Sequence, residues 1–227
     1  LPLTLWDQTI GKWNIAELVG KYCYLGLDLS STTDLTAVAL LFPPQEGIKD
    51  WRCLFEVWIP EENMKERIRR DHVPYDTWVR GKFLHATQGD AVDYEFVQAR
   101  IEALAKQYKV KYLCADKWNS QMLTQILAKK GIKTIEIQQT IAGMSPGMKE
   151  MERLLRSEQM SHEVNPLVRW CFGNVVVFID GNENMKPMKN KSIDRIDPIV
   201  ALINAMNAAV KLEKKRSSYE DHGIRIV

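Results

Sequence analysis

The sequence predicts an α/β fold with a mixed sheet: an antiparallel three-strand meander continued by parallel strands and flanked by helices. Three observations predict it. Three β-forming runs, residues 22–29, 36–42 and 51–59, follow one another at short spacing. From Tyr94 the apolar period becomes helical, and strand-like and helix-like segments then alternate. An apolar helix opening at Asp197-Pro198 closes the order.

Each element has its own reason. "YCYLGLDL" (22–29) is an apolar run with the character of a buried strand, and "SSTTD" turns the chain into "TAVALLF", which stops at Pro43-Pro44. "WRCLFEVWI" (51–59) has mixed apolar character rich in aromatic and β-forming residues and reads as the third strand. Residues 61–82 are charged and helical with a break near Pro74. "FLHAT" (83–87) reads as a short strand before a turn at Gly89. Val97, Ile101, Leu104, Ala105 and Tyr108 share one helical face. "KYLCA" (111–115) is a strand ending at Asp116, and the helix from about Ser120 to Lys130 is closed by Gly131. "TIEIQ" reads as a strand, and Ser145-Pro146 as an N-cap and first helical residue. "VVVFI" (175–179) is a strand, "DGNENMKPMKNKS" a polar basic loop, and the chain from Lys211 a charged, frayed tail.

Composition bounds the function. The 227 residues suffice for one domain with a sizeable core. A net charge of +2 gives no overall polyanion-binding signature, so any such binding must come from local clusters. Cys23, Cys53, Cys114 and Cys171 lie far apart without a CxxC pair, which fits reduced core thiols rather than disulfides or zinc ligands. There is no run of about 18 apolar residues to span a membrane and no signal-peptide pattern. "LPLTLWDQTIGKWNIAELVGKY" lacks an initiator Met and reads as the end of a linker, so the chain is expected to be a fragment of a longer protein.

Three acids fall at telling places: Asp28 within the first strand, Asp116 just past a central strand, and Asp197 at the mouth of the last helix. An acid at the centre of a strand is costly unless it is paired. If the first strand and "KYLCA" are neighbours, Asp28 and Asp116 point at one spot, where a hard divalent cation would relieve both burial and repulsion. Two such ions about 4 Å apart clamp a phosphoryl displacement. The residues leave alternatives open. Asp197 is a good N-cap by itself, Asp116 could pair with a lysine, and Asp34 could simply order its turn.

"GLDLSSTTDLTAVALL", "LCADKWNSQML", "SHEVNPLVRWCFGNVVV" and "RIDPIVALINAM", in this order, resemble the nuclease domain of the large terminase subunit of tailed bacteriophages, over roughly residues 20–210. The resemblance implies an RNase H-like fold and a metal-dependent endonuclease that cuts double-stranded concatemeric viral DNA at the start and end of packaging. By position, Asp28, Asp116 and Asp197 would be the three metal-binding acids, holding two Mg²⁺ or Mn²⁺ ions, with Asp34 a further acid close by. Asp93 matches a family acid and is expected to be structural. His162, Asn165 and Asn174 fall on family positions and are expected to be packed or hydrogen-bonded. Lys186, Lys189, Lys191 and Arg195, just before Asp197, become candidate phosphate contacts; otherwise they are a solvated loop. "MKERIRRDH" (64–72) is a second basic stretch, expected as an exposed helix face.

The resemblance also implies partners: an N-terminal packaging ATPase domain of the same protein, the portal and the small terminase subunit, in the host cytoplasm at the procapsid portal. No phosphate loop GxxxxGK[ST] occurs, so this chain is not expected to hydrolyse ATP. The expected division is a linker at 1–20, the nuclease domain at 21–212 and a tail at 213–227. Three alternatives stand beside it: another RNase H-like DNA enzyme of resolvase or transposase type, an actin-like or sugar-kinase-like nucleotide-binding domain, and a catalytically inert interaction module.

Overall fold

The structure is a computed structural model that describes residues 1–30, 34–62, 64–189 and 195–221. Strands β1 (Tyr22–Asp28), β2 (Thr36–Phe42) and β3 (Trp51–Pro60) form the expected antiparallel meander. The short β4 (His85–Thr87) runs parallel to β3. β5 (Lys109–Asp116) lies parallel beside β1, and β6 (Thr134–Ile137) parallel beside β5. The sheet order is β4-β3-β2-β1-β5-β6, and β7 (Met160–His162), too short to show in the sequence, also pairs with β3. The mixed sheet is therefore the one expected.

Side chains alternate across this sheet, so each face gathers its own apolar layer. Leu25, Leu27, Val38 and Leu40 pack towards Val97 and Ile101 of α4 (Tyr94–Gln107) and Leu123 and Leu127 of α5 (Lys117–Lys129). On the other face, Ala37, Ala39 and Cys114 pack with α6 (Ile141–Arg156), α7 (Pro166–Gly173) and α8 (Asp197–Asp221). From Ile199 to Ala209, α8 is buried on all sides. It lies so close to β1 that a Cβ on Gly26 would stand 1.8 Å from the Ala201 carbonyl oxygen. Asn204, on the same helix, donates to the Leu27 carbonyl at 3.1 Å. All four cysteines are buried and free.

Four local expectations need correction. α6 is capped by Thr140, whose side chain accepts from Gly143 N–H, so Ser145 and Pro146 lie inside the helix. Pro146 cannot donate a backbone hydrogen bond; the next amide, Gly147, donates to Asn207 Oδ1 of α8 at 2.8 Å. The basic loop contains a strand, β9 (Met185–Lys189), which pairs with β8 (Val175–Ile179) in a hairpin separate from the main sheet. The first twenty residues, expected as a linker, are folded onto the domain. α1 (Leu3–Gln8) buries Trp6, which stacks on His162 at 3.9 Å and on Phe172 at 4.7 Å. At the other end α8 runs on to Asp221, past the expected boundary at 213. Among the described residues no helix is long and apolar enough to cross a membrane.

Candidate active site

Asp28 ends β1 and Asp116 ends β5, and the parallel register that pairs Leu27 with Ala115 sets the two acids side by side. Gln139 follows β6 at the same edge, the carboxyl end of the parallel strands, which is the usual location of a site in an α/β sheet. Asp197 stands in the first turn of α8. Its helix is not capped by its own side chain: the Ile196 carbonyl accepts from Ile199 and Val200, making Ile196 the cap position. A cleft of about 530 Å³ is lined by Asp28, Asp34 and Asp197 together with Lys186 and Lys189 of β9. Asp116 does not line it.

The electrostatics are those of acids held against their preference. Burial is the first cause that pushes the Asp28 carboxyl well above the usual range; the charges of Asp197, Asp116 and Asp34 push the same way, and a 3.2 Å hydrogen bond from Gln139 opposes them. Asp197, 6% exposed, is pushed up to about 6, again first by burial and then by Asp34, with Lys189 and Arg195 opposing. Its Oδ2 is buried without a hydrogen-bond partner. An orphaned buried carboxylate oxygen costs free energy unless something meets it.

Asp34 is differently placed. Its carboxylate takes Lys189 Nζ at 2.7 Å and Arg195 Nη1 at 3.3 Å. Among the described residues no three His, Cys, Asp or Glu side chains converge closely enough to ligate one ion together. The donor set nevertheless fits a hard divalent ion: its acids supply oxygen ligands, and one of them is unsatisfied.

Arg195 departs from the expected role. It is 3% exposed and bridges Asp34 to Asp71, at 3.3 Å to each. It is therefore a buried tie rather than an outward phosphate contact. Asp71 itself takes Arg70 at 2.6 Å and the Tyr75 hydroxyl at 2.8 Å, so the stretch expected as an exposed helix face, α2 (Met64–Asp71), carries a buried anchor. Lys191 lies outside the described residues. Lys117 pairs with Glu136 at 3.8 Å, not with Asp116. Asp93 caps α4 by accepting from Glu95 and Phe96 amides, and Asn165 caps α7 in the same way. His162 is buried between the carbonyls of Trp6 and Glu163, each at 2.8 Å. Asn174 donates to the Arg195 carbonyl at 3.1 Å. Gln139 and the Asp71 anchor were not foreseen. Gln139 had a readable signal, as a polar residue just past a parallel strand; Asp71 had none.

A family model described as "Terminase large subunit, endonuclease domain" matches residues 1–213. The chain belongs to the terminase large subunit nuclease family. It is 32% identical over 188 residues to the terminase large subunit of Enterobacteria phage HK97, covering 82% of this chain and 37% of that protein. It is 30% identical over 235 residues to protein YmfN of Escherichia coli K12, covering 98% and 52%. The crystal structure of the HK97 large terminase superposes with a TM-score of 0.82 at 30% identity, over 92% of this chain and 43% of that one. The large terminase nuclease of thermophilic phage G20c, solved with bound magnesium, shares the fold: TM-score 0.57, 14% identity, 90% and 95% coverage. This terminase nuclease chain thus spans about half or less of the length of its curated relatives. The family assignment displaces the actin-like and sugar-kinase-like alternative.

Proposed function

We propose that the chain is a divalent-metal-dependent endonuclease that cuts double-stranded, concatemeric viral DNA during genome packaging. The observation that carries the reading is the gathering of Asp28, Asp116 and Asp197 at one edge of the fold, with Asp197 Oδ2 buried and unsatisfied. Structures of the G20c nuclease solved with magnesium, cobalt and zinc support divalent-ion binding in this fold.

Asp28, Asp116 and Asp197 would hold two Mg²⁺ or Mn²⁺ ions, which when bound supply an activated water and charge neutralisation at the scissile phosphate. The chain's own residues do the rest. Gln139 fixes one oxygen of Asp28, leaving the other to turn into the cleft. Arg195, anchored on Asp71, holds Asp34 beside the other acids. Lys186 and Lys189, the latter held on Asp34, line the same cleft and would contact the DNA backbone, giving affinity without sequence information. The partners in this reading are a packaging ATPase domain preceding the chain, the portal and the small terminase subunit, in the host cytoplasm at the procapsid portal.

Plasmid nicking in Mn²⁺ tests it. Asp28→Asn and Asp197→Asn should each abolish nicking while circular dichroism stays native, and EDTA should stop cleavage by the unmodified chain. Undiminished cutting by either variant overturns the assignment.

A further inference from the structure

The β8–β9 hairpin has one face on the domain and one face turned away from it. Cross-strand partners share a face. Val175, Val177 and Met185 belong to the inner face, where Val175 is buried and the other two pack against the core. Val176, opposite Met188, and Phe178, opposite Lys186, form the outer face. Val176 and Phe178 are each 44% exposed and Met188 is 46% exposed. The outward face of a solvated ribbon is ordinarily polar. On this one three of the four side chains are apolar, and such a patch marks a surface that something covers.

The position of the patch identifies its occupant. Lys186 and Met188 also line the carboxylate cleft, so the apolar face and the cleft form one continuous surface. A protein seated permanently on this face would overlie the rim of the cleft, whereas duplex entering the cleft covers the face as it enters. The ribbon is also held in place. Asp180 accepts from the Asn182 and Asn184 amides across its turn, and Met185 N–H donates to Ser145 Oγ of α6 at 3.1 Å. Two-stranded ribbons enter DNA grooves, and a fixed one loses little further entropy in doing so. Apart from the Lys186 ammonium, the side chains of this face make no strong hydrogen bond to base edges, so they are poorly suited to direct readout. Apolar side chains act on duplex in another way: they push between base steps in the minor groove and unstack them.

We propose that Phe178, with Val176 and Met188 beside it, is a wedge that enters the minor groove next to the cleft and partly unstacks a base step, so that cutting selects deformable steps rather than a sequence. The inference rests on the nuclease reading above and adds what that site selects. Phe178 is in this sense a specificity-determining residue that touches no reacting atom.

The test uses the whole chain and two short duplexes, one of repeated TA steps, which unstack easily, and one a stiff A-tract. In Mn²⁺ the wild type should cut the TA duplex about tenfold faster, a difference of about 1.4 kcal/mol and part of the few kcal/mol that unstacking a step costs. Phe178→Ala, at an exposed position, should bring the ratio to about one, and Phe178→Leu, which keeps an apolar wedge, should largely retain it. In EDTA, a fluorescent adenine analogue within the TA duplex should brighten on binding the wild type and Phe178→Leu but not Phe178→Ala, a signal that a merely structural residue would not move. Equal wild-type cutting of the two duplexes, or a Phe178→Ala ratio equal to that of wild type, refutes the wedge and leaves the nuclease reading standing. So does an effect of Phe178→Ala confined to self-association in gel filtration, which assigns the face to a second copy of the chain. No cutting of either duplex by the wild type overturns the nuclease reading, and the wedge with it.

Discussion

Replacing Asp197 with Asn should make the protein more stable, in a way that depends on pH. The carboxyl is pushed from its usual 3.8 up to about 6. A raised pKa means that the folded state binds the proton more tightly than the unfolded chain does. Stability from this group is therefore fully present below 3.8 and lost as pH rises through about 6. At about 1.36 kcal/mol per pH unit, the interval amounts to about 3 kcal/mol, an upper figure because an amide is not a perfect copy of a neutral carboxyl. For a chain of this size that is a rise of about 6–12 °C in melting temperature above pH 6. The assay is thermal unfolding in EDTA at a series of pH values. The two proteins should melt together in acid, separate between 3.8 and about 6, and keep a constant gap above that. Adding Mn²⁺ should then close the gap by stabilising the wild type alone, by about 2.7 kcal/mol at one hundred times the dissociation constant. A gap that is flat with pH, or a variant less stable than wild type at about pH 8, refutes the electrostatic account of the site.

Two further outcomes are expected. Arg195→Met should leave the buried Asp71 and the half-buried Asp34 short of a partner and lower unfolding stability by about 3 kcal/mol in urea, the low end for a broken buried pair because Arg70 and Tyr75 still hold Asp71. Trp6→Ala should cost about 3–5 kcal/mol by the same measurement, as for a core aromatic; a negligible loss would mean that the first twenty residues are not part of the cooperative unit.

The sheet was legible in the sequence wherever local pattern and burial agree. "YLGLDL" and "TAVALLF" could be little other than buried strands, and the short turn between them makes their pairing antiparallel. The parallel register that brings Asp28 beside Asp116 could be posed as a condition, but only folding fulfils it. What escaped depends on distant partners. Ser145-Pro146 imitates a helix start, and only Asn207, sixty residues on, shows how the interior proline is accommodated. "MKPMK" reads as a loop because lysine and proline both disfavour strands. It is a strand because a two-stranded hairpin has edges where a missing N–H is tolerated. Arg195 looked like one more basic residue of a DNA-facing loop, and its burial between two acids from distant parts of the chain left no local trace.

The near-contact of β1 and α8 at Gly26 works as a fulcrum with short arms. On one side of it Asp28 is two residues away; on the other, Asp197 is a single helical turn from Ala201. Two backbones touching leave no flexible side chain between them to stretch or compress. Drift in the surrounding core can therefore change stability without changing the gauge between these two acids, and position 26 is reserved for a residue with nothing to insert.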